Sequence, residues 1–378
     1  MPKVLILGAG VMGSALASVA AGSIPTRLTA TNSPVTNSRA TTETKSKNSV
    51  ILVGSPLDDD IIVSLQKNHH HPGLQVTLPD SIEAVRHTEL QSRHINDIDV
   101  VVLGVSSPGI GWALDELSKH QLRPNLLALV TKGLVAADKP GLPPRTYAEV
   151  LEPGLTVTPD NIVGIGGPCI ARELAMGYPT CVSFGSKDIA AANQLQQMLE
   201  CDYYRVSTTT DFTGLEACAA LKNFMAIGAS AMMTVYTLGD SYAKNPLAAV
   251  FNQAVFEIEI LSDWIRQAVS EPLTKESVAK SQRDVAYDLP GMGDLHVTVG
   301  GGRNSRLGRF LGEGRNLNDV MENEMRGVTV EGVDTGRQLL DGFRSACEQG
   351  VLNKSELPLS SAILNVIEHN TPFDYRFT

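Results

Sequence analysis

A chain of 378 residues is longer than one hydrophobic core usually sustains, so its length predicts two domains. With 43% hydrophobic and 19% charged residues it has the composition of a folded globular protein, and a formal net charge of -10 disfavours nucleic acid as a partner. Five cysteines, Cys169, Cys181, Cys201, Cys218 and Cys347, show neither paired CxxC spacing nor the density of a disulfide-stapled secreted domain; they read as reduced thiols in a cytoplasmic protein and offer no metal framework.

The chain opens with an apolar run at residues 3–7, the pattern of a buried central strand, and small helix formers fill residues 11–21. Between them Gly8, Gly10 and Gly13 stand at GxGxxG spacing. A secretory leader competes for this segment. Glycines weaken a leader's helix, however, and are required where a strand turns sharply into a helix that faces a pyrophosphate, so the dinucleotide reading is preferred. Residues 23–49 are more than half Ser, Thr or Asn and predict a mobile insertion with little to bury.

A strand at residues 50–53 is followed by Asp58, Asp59 and Asp60 with no arginine close by, which leans toward NAD over NADP; a solvated helix start gives the same pattern. His69, His70 and His71 cannot all face one ion from consecutive positions, so no metal site is expected there. Strands at 82–85, 100–105, 126–130, 162–165, 181–184 and 204–206 then alternate with helices at 109–120, 171–176 and 188–199. That alternation predicts an α/β Rossmann-type domain over residues 1–207, with the insertion at 23–49. Beyond it the apolar residues recur at helical spacing through 217–235, 247–268, 307–311, 332–347 and 359–367, which makes residues 208–378 an all-α domain. No segment is read as a membrane span.

Residues suited to chemistry gather where strands end and the helical half begins. Lys132 stands between Thr131 and Gly133 directly after a buried strand, on the edge where open sheets collect ligands. Gly166-Gly167-Pro168-Cys169-Ile170-Ala171 repeats the strand, turn and helix-start pattern; Cys169 is read as a small turn residue, since no histidine neighbours it. Lys222 is surrounded by small and apolar residues and must have a partner, with Glu216 and Asp294 the candidate carboxylates. Gly300-Gly301-Gly302-Arg303-Asn304, ahead of another helix, combines glycine N–H groups with a forked guanidinium and suits a phosphate.

The segments GAGVMG, VTKGL, GGPCIARELAMGYPT, EACAALKN, GMGDLHVT, GGGRNSR and VTVEGVDT stand in an order and spacing similar to those of the NAD(P)-dependent glycerol-3-phosphate dehydrogenases. The resemblance covers nearly the whole chain apart from the insertion. It implies a Rossmann-type amino-terminal domain followed by a helical domain like that of 6-phosphogluconate dehydrogenase, and a homodimer. The activity it implies is reversible reduction of dihydroxyacetone phosphate to sn-glycerol 3-phosphate with NAD or NADP, feeding glycerophospholipid synthesis. Carried over by position, it makes Lys222 the catalytic lysine, Lys132 a second substrate lysine and Asp294 the carboxylate that positions Lys222. Thr298, Arg303 and Asn304 join the substrate site, while Gly167, Cys169 and Ala171 form the turn that holds substrate and cofactor. Gly8, Gly10, Val11, Met12 and Gly13, with Lys132, Ala171, Arg303 and Glu331, face the dinucleotide. Met12, Cys169 and Gly302 depart from commoner family residues, and the arginine often found after the second strand is absent, departures that bear on cofactor preference and substrate affinity. Two other readings are a related two-domain reductase with another small substrate, and a dinucleotide sensor without catalysis.

Overall fold

A computed structural model describes residues 1–22, 47–139, 141–151, 157–267 and 284–377. Its first half is built on eight strands: β1 (Lys3–Leu7), β2 (Ser49–Gly54), β3 (Ile82–Arg86), β4 (Val100–Leu103), β5 (Leu126–Leu129), β6 (Ile162–Gly166), β7 (Thr180–Gly185) and β8 (Tyr204–Thr209). They form one sheet in the order β8-β7-β6-β5-β4-β1-β2-β3. Pairing is parallel except between β6 and β7, which run antiparallel, a reversal that the alternation of strands and helices did not foretell. Val4 to Leu7 are buried, as are all residues of β4, because helices cover both faces of a central parallel strand. The order reverses between β1 and β4, which opens a crevice at the carboxyl ends of those strands.

The helices that matter for the site are α1 (Val11–Ala21), α2 (Asp59–Asn68), α3 (Ile110–Lys119), α4 (Ala171–Ala175) and α5 (Ile189–Leu199) around the sheet. In the second half they are α6 (Phe212–Val235), α7 (Lys244–Arg266), α8 (Asp294–Gly300), α9 (Arg303–Gly312), α10 (Glu331–Glu348) and α11 (Pro358–His369). α8 has no counterpart among the helices expected from spacing, and α6 starts at Phe212 rather than 217 because Asp211 caps it, its Oδ1 accepting from the Gly214 N–H at 3.0 Å. Arg266 of α7 holds the same carboxylate through Nε and Nη2 at 3.0 and 2.6 Å, so the end of the sheet, α6 and α7 share one anchor.

Expected boundaries shift by a few residues elsewhere. The strand expected to 105 stops at Leu103, where a short turn over Ser107–Gly109 leads into α3. The insertion expected over 23–49 lies largely outside the described residues, but its last three residues are anchored, a correction with a clear cause. Asn48 is buried and its Nδ2 donates to the carbonyls of Ala20 and Met198 at 2.7 and 2.9 Å, while Ser49 already belongs to β2.

α6 is a 24-residue helix, long and apolar enough by length and composition to cross a membrane, contrary to the reading that no segment qualifies. Here it is a core helix, packed by α7, α9, α10 and α11 and by the sheet. α9 approaches closely because Gly308 and Gly312 face its backbone: a Cβ at either would lie 2.2 or 2.1 Å from the carbonyl oxygens of Ile227 and Ala231.

Candidate active site

The turn from β1 into α1 is shaped by its glycines. Gly8 adopts φ +108°, and a Cβ at Gly13 would sit 2.1 Å from the Gly8 carbonyl oxygen, so the helix closes onto the strand only without a side chain there. Gly10 is the N-cap of α1, no side chain caps the helix, and a Cβ at Gly10 would meet nothing within 4 Å. That open approach to helix N–H groups fits a dinucleotide's pyrophosphate. Val11 is exposed beside it, whereas Met12 packs against the sheet core.

The aspartate run after β2 forms the start of α2, as the second of the two sequence readings had it, with Asp58 at the N-cap and Asp59 and Asp60 exposed in the first turn. Asp58 is buried, and its Oδ2 accepts from the Ala9 N–H at 3.1 Å and from the Ser55 N–H and Oγ at 2.8 and 2.7 Å. Asp59 faces Arg86 Nε at 3.4 Å. The reading that no arginine lies close is thereby corrected: β3 pairs Arg86 with Gly54, at the end of β2, from 26 or more positions away in the chain.

Contacts run from this loop toward the helical half. Gly8 lies against Val105, whose carbonyl accepts from Thr131 Oγ1 at 2.6 Å, and Thr131 precedes Lys132. Lys132 Nζ donates to Asp294 Oδ2 at 2.7 Å. Lys222 Nζ, one of few polar groups buried along α6, donates to Asp294 Oδ1 at 2.8 Å and to Thr298 Oγ1 at 2.8 Å. Thr298 in turn donates to the Asp294 carbonyl at 2.7 Å, one turn back along α8. Of the two candidate partners for Lys222, Asp294 is the one that bonds it.

The electrostatics follow from burial and these pairs. Burial raises the cost of ionising Asp294, but Lys132 and Lys222 outweigh it and hold the carboxyl below its usual range. Burial, helped by the like charge of Lys132, pulls Lys222 down to about 8 in spite of Asp294. Burial acts the same way on Lys132, yet Asp294 wins there and the ammonium is held above its ordinary value. Glu216 is buried in α6 near Lys132, and burial pushes its carboxyl up to about 8; its Oε2 has no hydrogen-bond partner among the described residues. The Cys169 thiol is pushed up to about 12 by burial and stays neutral.

Gly167, with φ +132°, leads into a turn whose Pro168 packs on Gly293, immediately before Asp294; Ala171 then starts α4, which lies against α1. Asn304 is buried to the same degree as Lys222 and Asp294. Its Oδ1 accepts from the Gly332 N–H at 2.9 Å and its Nδ2 donates to Asn223 Oδ1 at 3.0 Å, which ties α9, α10 and α6 together beside Lys222. Arg303 is half exposed at the start of α9 and pairs with Glu331 at the start of α10. The involvement of Asp58 and His71 in the glycine loop was missed. Ser55 three positions before Asp58 is a visible turn pattern, but nothing local marks His71 as buried.

A glycine loop at the switch point of the sheet, linked through Val105 and Thr131 to a lysine–carboxylate centre that Lys132 of the sheet half shares with Lys222 and Asp294 of the helical half, has the architecture of a dinucleotide-dependent oxidoreductase. Residues 3–192 match the family described as the NAD-dependent glycerol-3-phosphate dehydrogenase N-terminus, and residues 211–376 match that family's C-terminus. The chain belongs to the NAD-dependent glycerol-3-phosphate dehydrogenase family. It is 31% identical to the NADP(+)-dependent glycerol-3-phosphate dehydrogenase of Archaeoglobus fulgidus over 89% of this chain and 88% of that protein. It is 29% identical to the glycerol-3-phosphate dehydrogenase [NAD(P)+] of Enterococcus faecalis over 97% of this chain and 91% of the relative. The fold is shared with the glycerol-3-phosphate dehydrogenases of Coxiella burnetii (TM-score 0.69, 22% identity, 98% and 96% of the two chains) and Plasmodium falciparum (TM-score 0.72, 17% identity, 98% and 92%).

Proposed function

We propose that this chain interconverts dihydroxyacetone phosphate and sn-glycerol 3-phosphate, with residues 1–207 holding the dinucleotide and residues 208–378 supplying most of the substrate site. The observation that carries the reading is the bridge of Asp294 between Lys222 and Lys132, which sets two ammonium groups side by side where a ketone oxygen must gain charge and a proton. A bound dinucleotide would supply the hydride, and Gly8, Gly10, Val11, Met12 and Gly13 would hold its pyrophosphate. Lys222 donates the proton to the carbonyl oxygen. Lys132 adds positive charge beside it, and Asp294 orients both. Arg303 anchors the phosphate so that the carbonyl is presented in one pose, while Asn304 keeps α9 and α6 in register behind it. Cys169 and Thr298 border the substrate, and Glu331 steers Arg303 at the nicotinamide end.

Both NAD and NADP are accepted in this reading. Asp58 is committed to the Ala9 and Ser55 N–H groups, which leaves less carboxylate for a ribose hydroxyl than the lean toward NAD assumed, and Arg86 is within the same corner. A cytoplasmic homodimer that feeds glycerophospholipid synthesis completes the proposal, on the ground of family resemblance. The test is oxidation of NADH and of NADPH with dihydroxyacetone phosphate, set against unphosphorylated dihydroxyacetone. Phosphate-dependent oxidation is expected; no oxidation despite measurable dinucleotide binding points to another substrate or to a sensor.

A further inference from the structure

We propose that the hairpin made by the antiparallel strands His70–His71 and Val76–Thr77 is a working part of the dinucleotide site: His71 clamps the Ala9 peptide of the glycine loop, and its protonation weakens dinucleotide binding. The inference rests on the dinucleotide reading above and adds a positioning residue and a pH response to it.

The peptide groups of Ala9 are held on both sides. Its N–H donates to Asp58 Oδ2 at 3.1 Å, and its carbonyl oxygen lies 3.0 Å from His71 Nε2 and accepts from Ser14 Oγ at 3.0 Å. The other ring nitrogen of His71 settles which tautomer is present. The Leu74 N–H donates to Nδ1 at 3.0 Å, so Nδ1 must carry a lone pair and the single ring proton is on Nε2, which donates to Ala9. His71 is 0% exposed, and Leu74, its partner in the hairpin, is a buried apolar anchor. Gly73 of the same turn faces Val11, the first residue of α1, so the hairpin supports the loop at Ala9 and the helix start at Val11 together. Gly10, the open seat at the helix N-cap, lies between those two supports.

A second ring proton breaks this arrangement. It places an N–H at Nδ1 against the Leu74 N–H, two donors facing each other in a site closed to water, and the ring must move away from Leu74 or from Ala9. Burial is the largest influence and holds His71 below the ordinary histidine value; the Ala9 and His71 backbone carbonyls and the Asp58 carboxylate favour the protonated ring, and His70 opposes it. The clamp is therefore intact at neutral pH and opens on acidification. Asp58 and Ser14 still hold Ala9 when His71 lets go, so the loss is partial.

The experiment is titration of the full chain without substrate, followed by fluorescence or calorimetry: with NADH from about pH 5 to pH 8, since its pyrophosphate does not titrate there, and with NADPH at neutral pH only, since its 2′-phosphate does. Wild type is expected to bind more weakly as the pH falls. His71→Gln keeps a donor in the Nε2 position and cannot titrate, so its Kd stays flat across that range. His71→Leu removes the donor and weakens binding roughly tenfold at neutral pH, with the loss carried by Kd and KM for the dinucleotide more than by kcat. A His71→Gln protein that keeps the wild-type acid weakening overturns the clamp, as does a folded His71→Leu protein with wild-type Kd. If His71→Leu does not fold, the pH profile of His71→Gln decides alone. Wild type that binds neither dinucleotide overturns the functional reading itself, and the clamp with it; wild type that binds NADH with no pH dependence overturns the clamp only.

Discussion

Lys222 and Asp294, 72 residues apart in the chain, meet at 2.8 Å between the middle of α6 and the first turn of α8. Because Lys222 is 7% exposed, its ammonium depends on that carboxylate and on Thr298 for nearly all its solvation. Lys222→Ala removes the proposed proton donor from a site whose other parts stay in place. Turnover is expected to fall roughly a hundredfold to ten-thousandfold while dinucleotide affinity holds. Wild-type turnover in the variant would falsify the assignment.

A Lys222 that titrates near 8 gives the two directions opposite pH profiles. Reduction of the ketone needs the protonated amine, so its chemical step slows as the pH rises through about 8; oxidation of the alcohol needs the neutral amine and speeds up over the same range. Asp294→Asn withdraws the charge that favours the ammonium, so both transitions move to lower pH. The check is the single-turnover rate in each direction from mildly acidic to alkaline buffer, and a transition unmoved by Asp294→Asn contradicts the pairing.

Arg303 is 53% exposed at its side chain and is paired with Glu331, so its guanidinium is reached from solvent without opening the core. Arg303→Ala is expected to raise KM for dihydroxyacetone phosphate by roughly tenfold to a hundredfold, the range of a charge-assisted hydrogen bond. Unphosphorylated dihydroxyacetone should show no comparable change. Equal effects on the two ketones would remove the phosphate from the role of Arg303.

Gly13→Ala tests the close contact of α1 with β1. Its methyl would lie 2.1 Å from the Gly8 carbonyl oxygen, backbone that cannot swing aside, so α1 must lift from the sheet. Dinucleotide binding should be lost and the melting temperature lowered. Gly10→Ala makes a useful contrast: a Cβ there meets nothing within 4 Å, so the fold should survive while the approach of a pyrophosphate is obstructed. A Gly10→Ala variant with unaltered Kd would show that the pyrophosphate lies elsewhere.

What the sequence disclosed followed from burial. The strands were visible because β1, β4 and β5 are short apolar runs, and Lys222 stood out because α6 is otherwise small and apolar. Glu216 and Asp294 were equal candidates on sequence, since spacing along the chain does not say which carboxylate the packing of α8 against α6 brings to Nζ. Arg303 and Asn304 were read together as one site, but adjacent residues on a helix point in different directions: Arg303 faces outward, and Asn304 is buried beside Lys222, bonded to Asn223 and Gly332. His71 was lost in a run of three histidines, only one of which is buried in the hairpin. Arg86 reaches the end of β2 through strand pairing alone, which no local pattern encodes.

The bridge at Asp294 leaves an arithmetic remainder. Lys132 and Lys222 bring two positive charges to one carboxylate, and Glu216, with its carboxyl held near 8, contributes none at neutral pH. Within this cluster one of the two ammonium groups has no carboxylate of its own. On the proposed reading, the negative charge that develops on the ketone oxygen is what takes up that excess. An anion held by both lysines would also tie α6 and α8 to the sheet, so a substrate-like anion is expected to raise the melting temperature of the wild type more than that of Lys222→Ala.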